Sequence, residues 1–429
     1  AGQAAAQLIQ PLCFALMLGA LGWTAARAGA SPVARLSGVL TVAALPFLAW
    51  TGGVAKNDIP MALFQTLTLG CILAATGERR THWLRLAVFF LAASFSVKAT
   101  AMFGAVPLAL LLLWRLRDVE RKPREVLLWT ATFALVAGVW PLRTYLLTGN
   151  PLYPAEISWA VESLRPNAMR PAEWRSIPYW KIPWTIHFDG TQAFESPSAN
   201  PAGFFLWLFA PLWLVLRRRE GSRAEALCLV FAWVYFFYWG SVWPVVRYAI
   251  VPLGLLMIFT MDRLVTATAL LPRGWRPVLV TITALNGVAC LLSAMIFSVN
   301  APQLALFAGR IGEQEYLRRA ILPYPALEHL AQNWRPGDWT LGVGVTAAAY
   351  APDPAKFDCE RTADAVASAA LAHDLLAGGQ YRFLMTSRPA GDAVLRDLPP
   401  HLVAQELYAD AHYALYSLER AAAGTAPHR

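Results

Sequence analysis

Asp58 is the residue in this sequence whose type and position best indicate chemistry. It lies between two apolar stretches, residues 40–50 and 61–75. A carboxylate at the mouth of membrane-spanning segments is costly to keep near lipid, so it is a functional-site hypothesis by default. Asn57 or Asp58 could instead cap the helix whose first turn Pro60 favours, because a short side-chain oxygen satisfies a free N–H group there. The residues alone leave both interpretations open.

The composition indicates an integral membrane protein. Of the 429 residues, 57% are hydrophobic and 15% are charged, whereas soluble domains have roughly 25% charged residues. We therefore expect an α-helical polytopic membrane protein with a small C-terminal external α/β domain. Apolar runs long enough for a hydrocarbon layer about 30 Å thick predict about ten spans, near residues 7–26, 36–54, 60–76, 83–97, 100–114, 126–142, 203–216, 224–242, 245–261 and 278–299.

The distribution of basic residues predicts the orientation. Arg and Lys concentrate in alternate short loops, at 27–35, 79–85, 115–124, 217–223 and 263–276. Short loops rich in these residues stay in the cytoplasm. Asp58 is therefore predicted to face outward from a bacterial inner (cytoplasmic) membrane, with the C-terminal domain outside. The net charge of +9 is explained by this topology, and no nucleic-acid partner is expected.

This orientation places Ala1 outside the membrane. Residue 1 is not Met, and residues 1–8 lack the charged start of a signal peptide. We therefore expect one span and the external loop that follows it to precede residue 1. Processing of a natural protein is the alternative.

Two external segments are predicted. The loop 142–201, within the membrane domain 1–300, is rich in Trp, Tyr and Phe, which form either an interfacial aromatic belt or the wall of a lipid and sugar cleft. The tail 301–429 is hydrated. Its periodicity predicts helices at 324–333 and 364–376 and strands at 339–345, 381–386, 402–408 and 413–418.

Four motifs resemble those of GT-C type glycosyltransferases, specifically the protein O-mannosyltransferase and aminoarabinose transferase group. Residues 57–64 read N-D-I-P-M-A-L-F and residues 95–100 read F-S-V-K-A-T. Residues 140–154 contain W-P-L-R-T-Y and T-G-N-P-L-Y-P, and Arg247-Tyr248 is followed by Pro252. The sequence departs from the group's pattern in having Trp-Pro for Pro-Trp at 140–141 and Thr144 in place of Asn. Pro252 also lies one residue further from Arg247 than the pattern has it.

The resemblance implies an inverting membrane glycosyltransferase. Such an enzyme moves a sugar from a polyprenyl-phosphate donor to a glycan, lipid or protein acceptor at the outer face. It implies a supporting carboxylate role for Asp58, since the group's main base lies in a first external loop that would precede residue 1. A divalent metal ion at Asp58 is the one cofactor candidate. The residues assigned to the donor phosphate are Lys56, Lys98, Arg143, Arg247 and Tyr248.

Other interpretations remain open. Any single basic residue at a span end can simply extend to the membrane interface. The same topology could belong to a transporter or flippase of a lipid-linked sugar, although no internal repeat of the kind common in transporters is evident. A non-catalytic GT-C-like subunit is the third interpretation.

Overall fold

The computed structural model divides the chain into two compact units, Ala1–Phe297 and Ser298–Arg429. The sequence had suggested a boundary after residue 300. The residues described below are 2–45, 47–48, 51, 57–120, 122–151, 178, 181, 223–242, 245–278, 280–281, 283–285, 287–289, 292, 305–306, 309–345, 350–360, 372–396 and 398–420.

The first unit is helical throughout its described residues. Short 3₁₀ turns at Gly77–Arg79, Ala99–Ala101 and Val246–Ala249 connect some of its helices. The α-helices are α1 (Gly2–Arg27), α2 (Pro32–Ala43), α3 (Asp58–Ala74), α4 (Arg80–Val97), α5 (Met102–Leu116), α6 (Lys122–Ala137), α7 (Val139–Thr148), α8 (Arg223–Val242) and α9 (Ile250–Leu270).

Helices α3 and α9 form the centre of this unit. Helix α3 packs mainly against α1 and α4, and α9 packs mainly against α2 and α8. Every residue of α9 from Ile250 to Leu264 is buried. A helix that is apolar on all sides is expected to be buried on all sides. These two helices therefore provide a rigid support for the residues at their ends.

Among the described residues, three helical segments have the length and composition needed to cross a membrane: Ile9–Arg27, Arg223–Val242 and Val246–Leu270. Helices α6 and α7 make a fourth if the bent pair is one span. Helices α2, α3 and α5 are apolar but shorter. The total of about ten spans stays a prediction. One of them, at 203–216, lies outside the described residues.

The span predicted at 126–142 corresponds to a bent pair of helices. Helix α6 ends at Ala137, and α7 continues after a bend of 51°. Gly138 lies at the break between the two helices. Apart from proline, glycine has the lowest helix propensity of the amino acids. The ring of Pro141 also clashes with the carbonyl group four residues earlier in a straight helix. These two residues together explain the bend.

The second unit is a small α/β domain. Its helices are α10 (Glu313–Ala320), α11 (Tyr324–Asn333) and α12 (Arg388–Arg396). Its sheet has the order β2-β1-β3-β5-β4, with β1 parallel to β2 and β3, and β5 antiparallel to β3 and β4. The strands are β1 (Trp339–Val343), β2 (Phe357–Glu360), β3 (Tyr381–Ser387), β4 (Leu402–Ala409) and β5 (Tyr413–Arg420).

The predicted helix 324–333 and the four predicted strands agree with these elements. The strand β2 was not predicted. It is four residues long, carries Asp358 and Glu360, and pairs with β1. It therefore lacks the apolar run that marks a buried strand. Most of the predicted helix 364–376 lies outside the described residues.

The contact between α2 and α9 gives a first testable prediction. A Cβ atom added at Gly38 would lie 2.8 Å from the Ile258 Cα atom. Because that atom belongs to the backbone of α9, the two helices would have to separate. We expect Gly38→Ala to destabilise the protein by about 1–3 kcal/mol, measured as a lower melting temperature in detergent. Gly19→Ala is the matched control, since nothing lies within 4 Å of its added Cβ. Equal melting temperatures for the two variants would contradict the prediction.

Candidate functional site

Asp58 lies at the centre of a buried ion-pair cluster. Its carboxylate is fully buried, with the Lys98 Nζ atom 2.8 Å from Oδ1 and the Arg247 Nε atom 3.4 Å from Oδ2. Lys98 directly follows α4, and Arg247 belongs to the 3₁₀ turn that leads into α9. The site therefore brings together residues from three separate parts of the chain. We call these three residues the ion-pair cluster.

The structure does not use Asp58 as a helix cap. Asn57 occupies the N-cap position and makes no side-chain capping hydrogen bond. Its Nδ2 atom instead donates to the Val97 carbonyl oxygen at 3.4 Å, which joins the start of α3 to the end of α4. Asp58 is the first residue of α3, where the helix dipole favours a negative charge. Its carboxylate is thus available to hold two cations.

The Tyr248 ring lies next to both cations. Its centroid is 4.7 Å from the Lys98 Nζ atom and 5.1 Å from the Arg247 Cζ atom. These distances fall within the range of cation–π attraction. The Tyr248 ring is stacked on Phe103, and its hydroxyl accepts a 3.3 Å hydrogen bond from Arg247 Nη2. Tyr248 is therefore a buried support for the two cationic side chains.

Two buried residues that the sequence analysis did not single out lie under this cluster. The Tyr235 hydroxyl is 3.0 Å from Gln65 Oε1 and 2.9 Å from the Tyr248 carbonyl oxygen, two acceptors for its single proton. Gln65 Nε2 donates to the Ala101 carbonyl oxygen at 2.8 Å. We call Gln65 and Tyr235 the floor pair. They link α3 to the turn after Lys98 and to the turn that carries Arg247.

Gly104 lies against the floor pair. A Cβ atom at this position would lie 2.5 Å from Gln65 Oε1 and 2.6 Å from Tyr235 Cε1. Any larger residue would displace these side chains. The absence of a side chain at Gly104 is therefore part of what positions the site.

Gln65 could have been found from the sequence. It is a polar residue in the apolar run that follows Asp58, and it lies two helical turns further along the same face. Tyr235 gives no such signal, because it lies in an aromatic-rich helix where the hydroxyl group does not stand out.

The other predicted donor-phosphate residues are placed differently. Lys56 lies outside the described residues. Arg143 is exposed on α7, with its Cζ atom 5.4 Å from the Trp140 ring centroid on the same helix. None of the hydrogen bonds and ion pairs of the described chain connects Arg143 to the ion-pair cluster. Most of the loop 142–201 also lies outside the described residues.

A divalent metal ion at Asp58 stays a prediction. No group of three or more His, Cys, Asp or Glu side chains comes together in the described part of the chain. The two carboxylate oxygens also face two cationic side chains, and their charge opposes a further cation nearby.

The arrangement suits an anion instead. One carboxylate and two cations give the cluster a net charge of +1. The Lys98 side chain keeps 26% of its surface exposed and that of Arg247 keeps 11%, so both can be reached from outside the cluster. Arginine and lysine are the usual protein partners of phosphate groups.

Comparisons with known proteins give a family match over part of the chain and a similar solved fold. The family described as dolichyl-phosphate-mannose-protein mannosyltransferase matches residues 1–141. A crystal structure of ArnT from Cupriavidus metallidurans bound to undecaprenyl phosphate is similar to this chain with a TM-score of 0.57. The two share 16% sequence identity over 96% of this chain and 83% of that chain. The apo state of the same protein gives a TM-score of 0.53 and 13% identity with the same coverage. A comparison with curated protein sequences gives no match.

These findings confirm the resemblance to GT-C type glycosyltransferases that the four motifs indicated. The family match includes the segment that carries Asp58 and Lys98. The structural similarity extends over nearly the whole chain and shows a shared fold.

Proposed function

We propose that this chain is an inverting membrane glycosyltransferase that uses a polyprenyl-phosphate-linked sugar as its donor. The observation that carries the proposal is the convergence of Lys98 and Arg247 on the buried Asp58 carboxylate at one end of apolar helices. The mannosyltransferase family match and the fold shared with ArnT support it. The reaction takes place at the outer face of a bacterial inner membrane, and the acceptor is a glycan, a lipid or a protein.

In the proposed reaction, an acceptor hydroxyl oxygen forms a bond to the anomeric carbon. The bond from that carbon to the phosphate oxygen breaks, and polyprenyl phosphate leaves with the electron pair. Lys98 and Arg247 stabilise the negative charge that develops on the leaving phosphate. A carboxylate base receives the hydroxyl proton, and we do not assign that base to a described residue.

Asp58 acts as a positioning residue in this proposal. Its two oxygens hold the Lys98 and Arg247 side chains in place before the donor binds, so less conformational freedom is lost on binding. The floor pair fixes the backbone turns next to both cations. The site is thereby organised before the reaction begins.

The direct test is donor turnover by the protein in lipid nanodiscs. A panel of undecaprenyl-phosphate sugars is supplied with crude glycan, lipid and protein acceptors, and the release of undecaprenyl phosphate is measured. We expect acceptor-dependent release for at least one donor, with inversion at the anomeric carbon of the product. A protein that releases none, yet moves intact donor across the bilayer of proteoliposomes, would be a flippase. A protein that binds the donor but neither releases undecaprenyl phosphate nor moves the donor across the bilayer would be a non-catalytic subunit.

A further inference from the structure

Several guanidinium groups surround the Trp114 side chain near the end of α5. The Cζ atoms of Arg117, Arg223 and Arg115 lie 4.4, 5.0 and 5.7 Å from the ring centroid. Each distance falls within the range of cation–π attraction. Arg223 begins α8, so two helices contribute to the group. We call Trp114 and these three arginines the arginine cluster.

The positive charge of this cluster is only partly neutralised. Asp118 Oδ2 pairs with Arg115 Nη1 at 3.1 Å. The Asp118 carbonyl oxygen also accepts a 2.8 Å hydrogen bond from a fourth guanidinium, that of Arg80. Within the described ranges, neither Arg117 nor Arg223 forms an ion pair. The Nε atoms of Arg80 and Arg115 are buried and have no hydrogen-bond partner among the described residues.

A neighbouring cavity of about 380 Å³ has a different charge character. Its lining includes Arg80 and Asp118 but also Arg85 and Glu125, which form a bidentate ion pair at 2.6 and 3.0 Å. Its cations are therefore largely matched by carboxylates. The excess positive charge is on the Trp114 side, where Arg117 and Arg223 are exposed.

The arginine cluster lies far from the ion-pair cluster. Arg115 Nη2 donates to the carbonyl oxygen of Ala75, the residue that follows α3. Asp58 begins the same helix, and 17 helical residues span about 25 Å. Helix α4 gives the same separation, since Arg80 begins it and Lys98 follows it. The two sites are thus at opposite ends of the helices.

We propose that the arginine cluster binds the phosphate group of an anionic membrane lipid in the leaflet opposite the ion-pair cluster. The guanidinium fork matches the geometry of phosphate oxygens. Basic pockets between membrane helices bind anionic lipid headgroups, and tryptophan favours the membrane interface. Leu110 and Leu113 on α5 are exposed large apolar residues within the turn or so before Trp114. They offer a surface for the acyl chains of the same lipid.

Native mass spectrometry of the detergent-solubilised chain tests this proposal. Dioleoylphosphatidylglycerol and dioleoylphosphatidylcholine are titrated against wild type and against Arg117→Gln/Arg223→Gln. We expect the double variant to lose roughly tenfold or more of its affinity for phosphatidylglycerol and little of its affinity for phosphatidylcholine. Arg117→Lys/Arg223→Lys keeps the charge and should recover most of the binding.

The matched control is Arg27→Gln/Arg273→Gln, which removes the same charge from two other exposed arginines. Arg27 also lies over a tryptophan, 5.8 Å from the Trp23 ring centroid, but as a single cation. Equal losses of phosphatidylglycerol binding in the control and in the cluster variant would overturn the proposal. If inorganic phosphate displaces phosphatidylglycerol at equal concentration, the cluster is a site for a soluble anion, and the assignment to a lipid is overturned. If the double variant does not fold, the exposed Arg117→Gln single variant must still weaken phosphatidylglycerol binding.

Discussion

Asp58→Asn should lower turnover by about 10²-fold or more while the protein remains folded. Asparagine has nearly the same size as aspartate but cannot neutralise Lys98 and Arg247, which lie 2.8 and 3.4 Å from the carboxylate oxygens. The two cations would then repel each other and lose their fixed positions. The measurement is kcat and KM for the polyprenyl-phosphate donor, together with the melting temperature.

The matched control for this variant is Asp58→Asn/Lys98→Gln. The double variant restores the net charge of +1 that the wild-type cluster carries, so it should recover the melting temperature without recovering turnover. Because Lys98 itself binds the donor in this proposal, turnover of the double variant is compared with that of Lys98→Gln alone. A purely structural role for the carboxylate predicts equal turnover for these two variants, whereas a role in positioning Arg247 predicts a further loss in the double variant. If asparagine leaves both turnover and melting temperature unchanged, Asp58 is not part of the site.

Lys98→Ala should weaken use of the donor by roughly ten- to a hundredfold in kcat/KM. This range corresponds to the loss of one charge-assisted contact, about 1.5–3 kcal/mol. Asp58 and Arg247 would remain as a pair, so no buried charge is left without a partner. The quarter of the Lys98 side chain that is exposed gives a ligand access to it, and donor KM should therefore rise.

Arg143→Ala is the comparison for this variant. The sequence assigned Arg143 to the same donor phosphate, but its described contact is with Trp140 on its own helix. We expect its effect on kcat/KM to be no more than a few fold. If Arg143→Ala matches Lys98→Ala, then Arg143 reaches the donor as well. Wild-type donor kinetics for Lys98→Ala would remove the ion-pair cluster from the donor site.

The local parts of the site could be predicted from the sequence. Asp58 and Lys98 were recognised because each carries a charge where an apolar run stops, which is a strong local signal. Helix α11 was predicted for a similar reason, since its apolar residues recur with helical spacing. Such features depend on residues that are neighbours along the chain.

The assembly of the site could not be predicted in the same way. Nothing in the residues around Arg247 shows that its side chain pairs with Asp58, because that contact depends on how α3 and α9 pack. The hydrogen bonds of Tyr235 to Gln65 and Tyr248 are likewise set by tertiary packing. The bend at Gly138 was missed because the apolar pattern continues through it, although Gly138 and Pro141 together carried the signal.

The close contact at Gly104 restricts how this site can diverge. Lys98 and Arg247 both pair with Asp58, so one of them can be replaced while the other still neutralises the carboxylate. Gly104, Gln65 and Tyr235 are interlocked, since a Cβ at Gly104 would meet both other side chains at 2.6 Å or less. In a library of functional variants, substitutions at these three positions should therefore appear together, for example a larger residue at 104 with a smaller one at 65 or 235. The strength of donor-phosphate binding can then change by single mutations at the cations, whereas the packing at Gly104 can change only through coordinated ones.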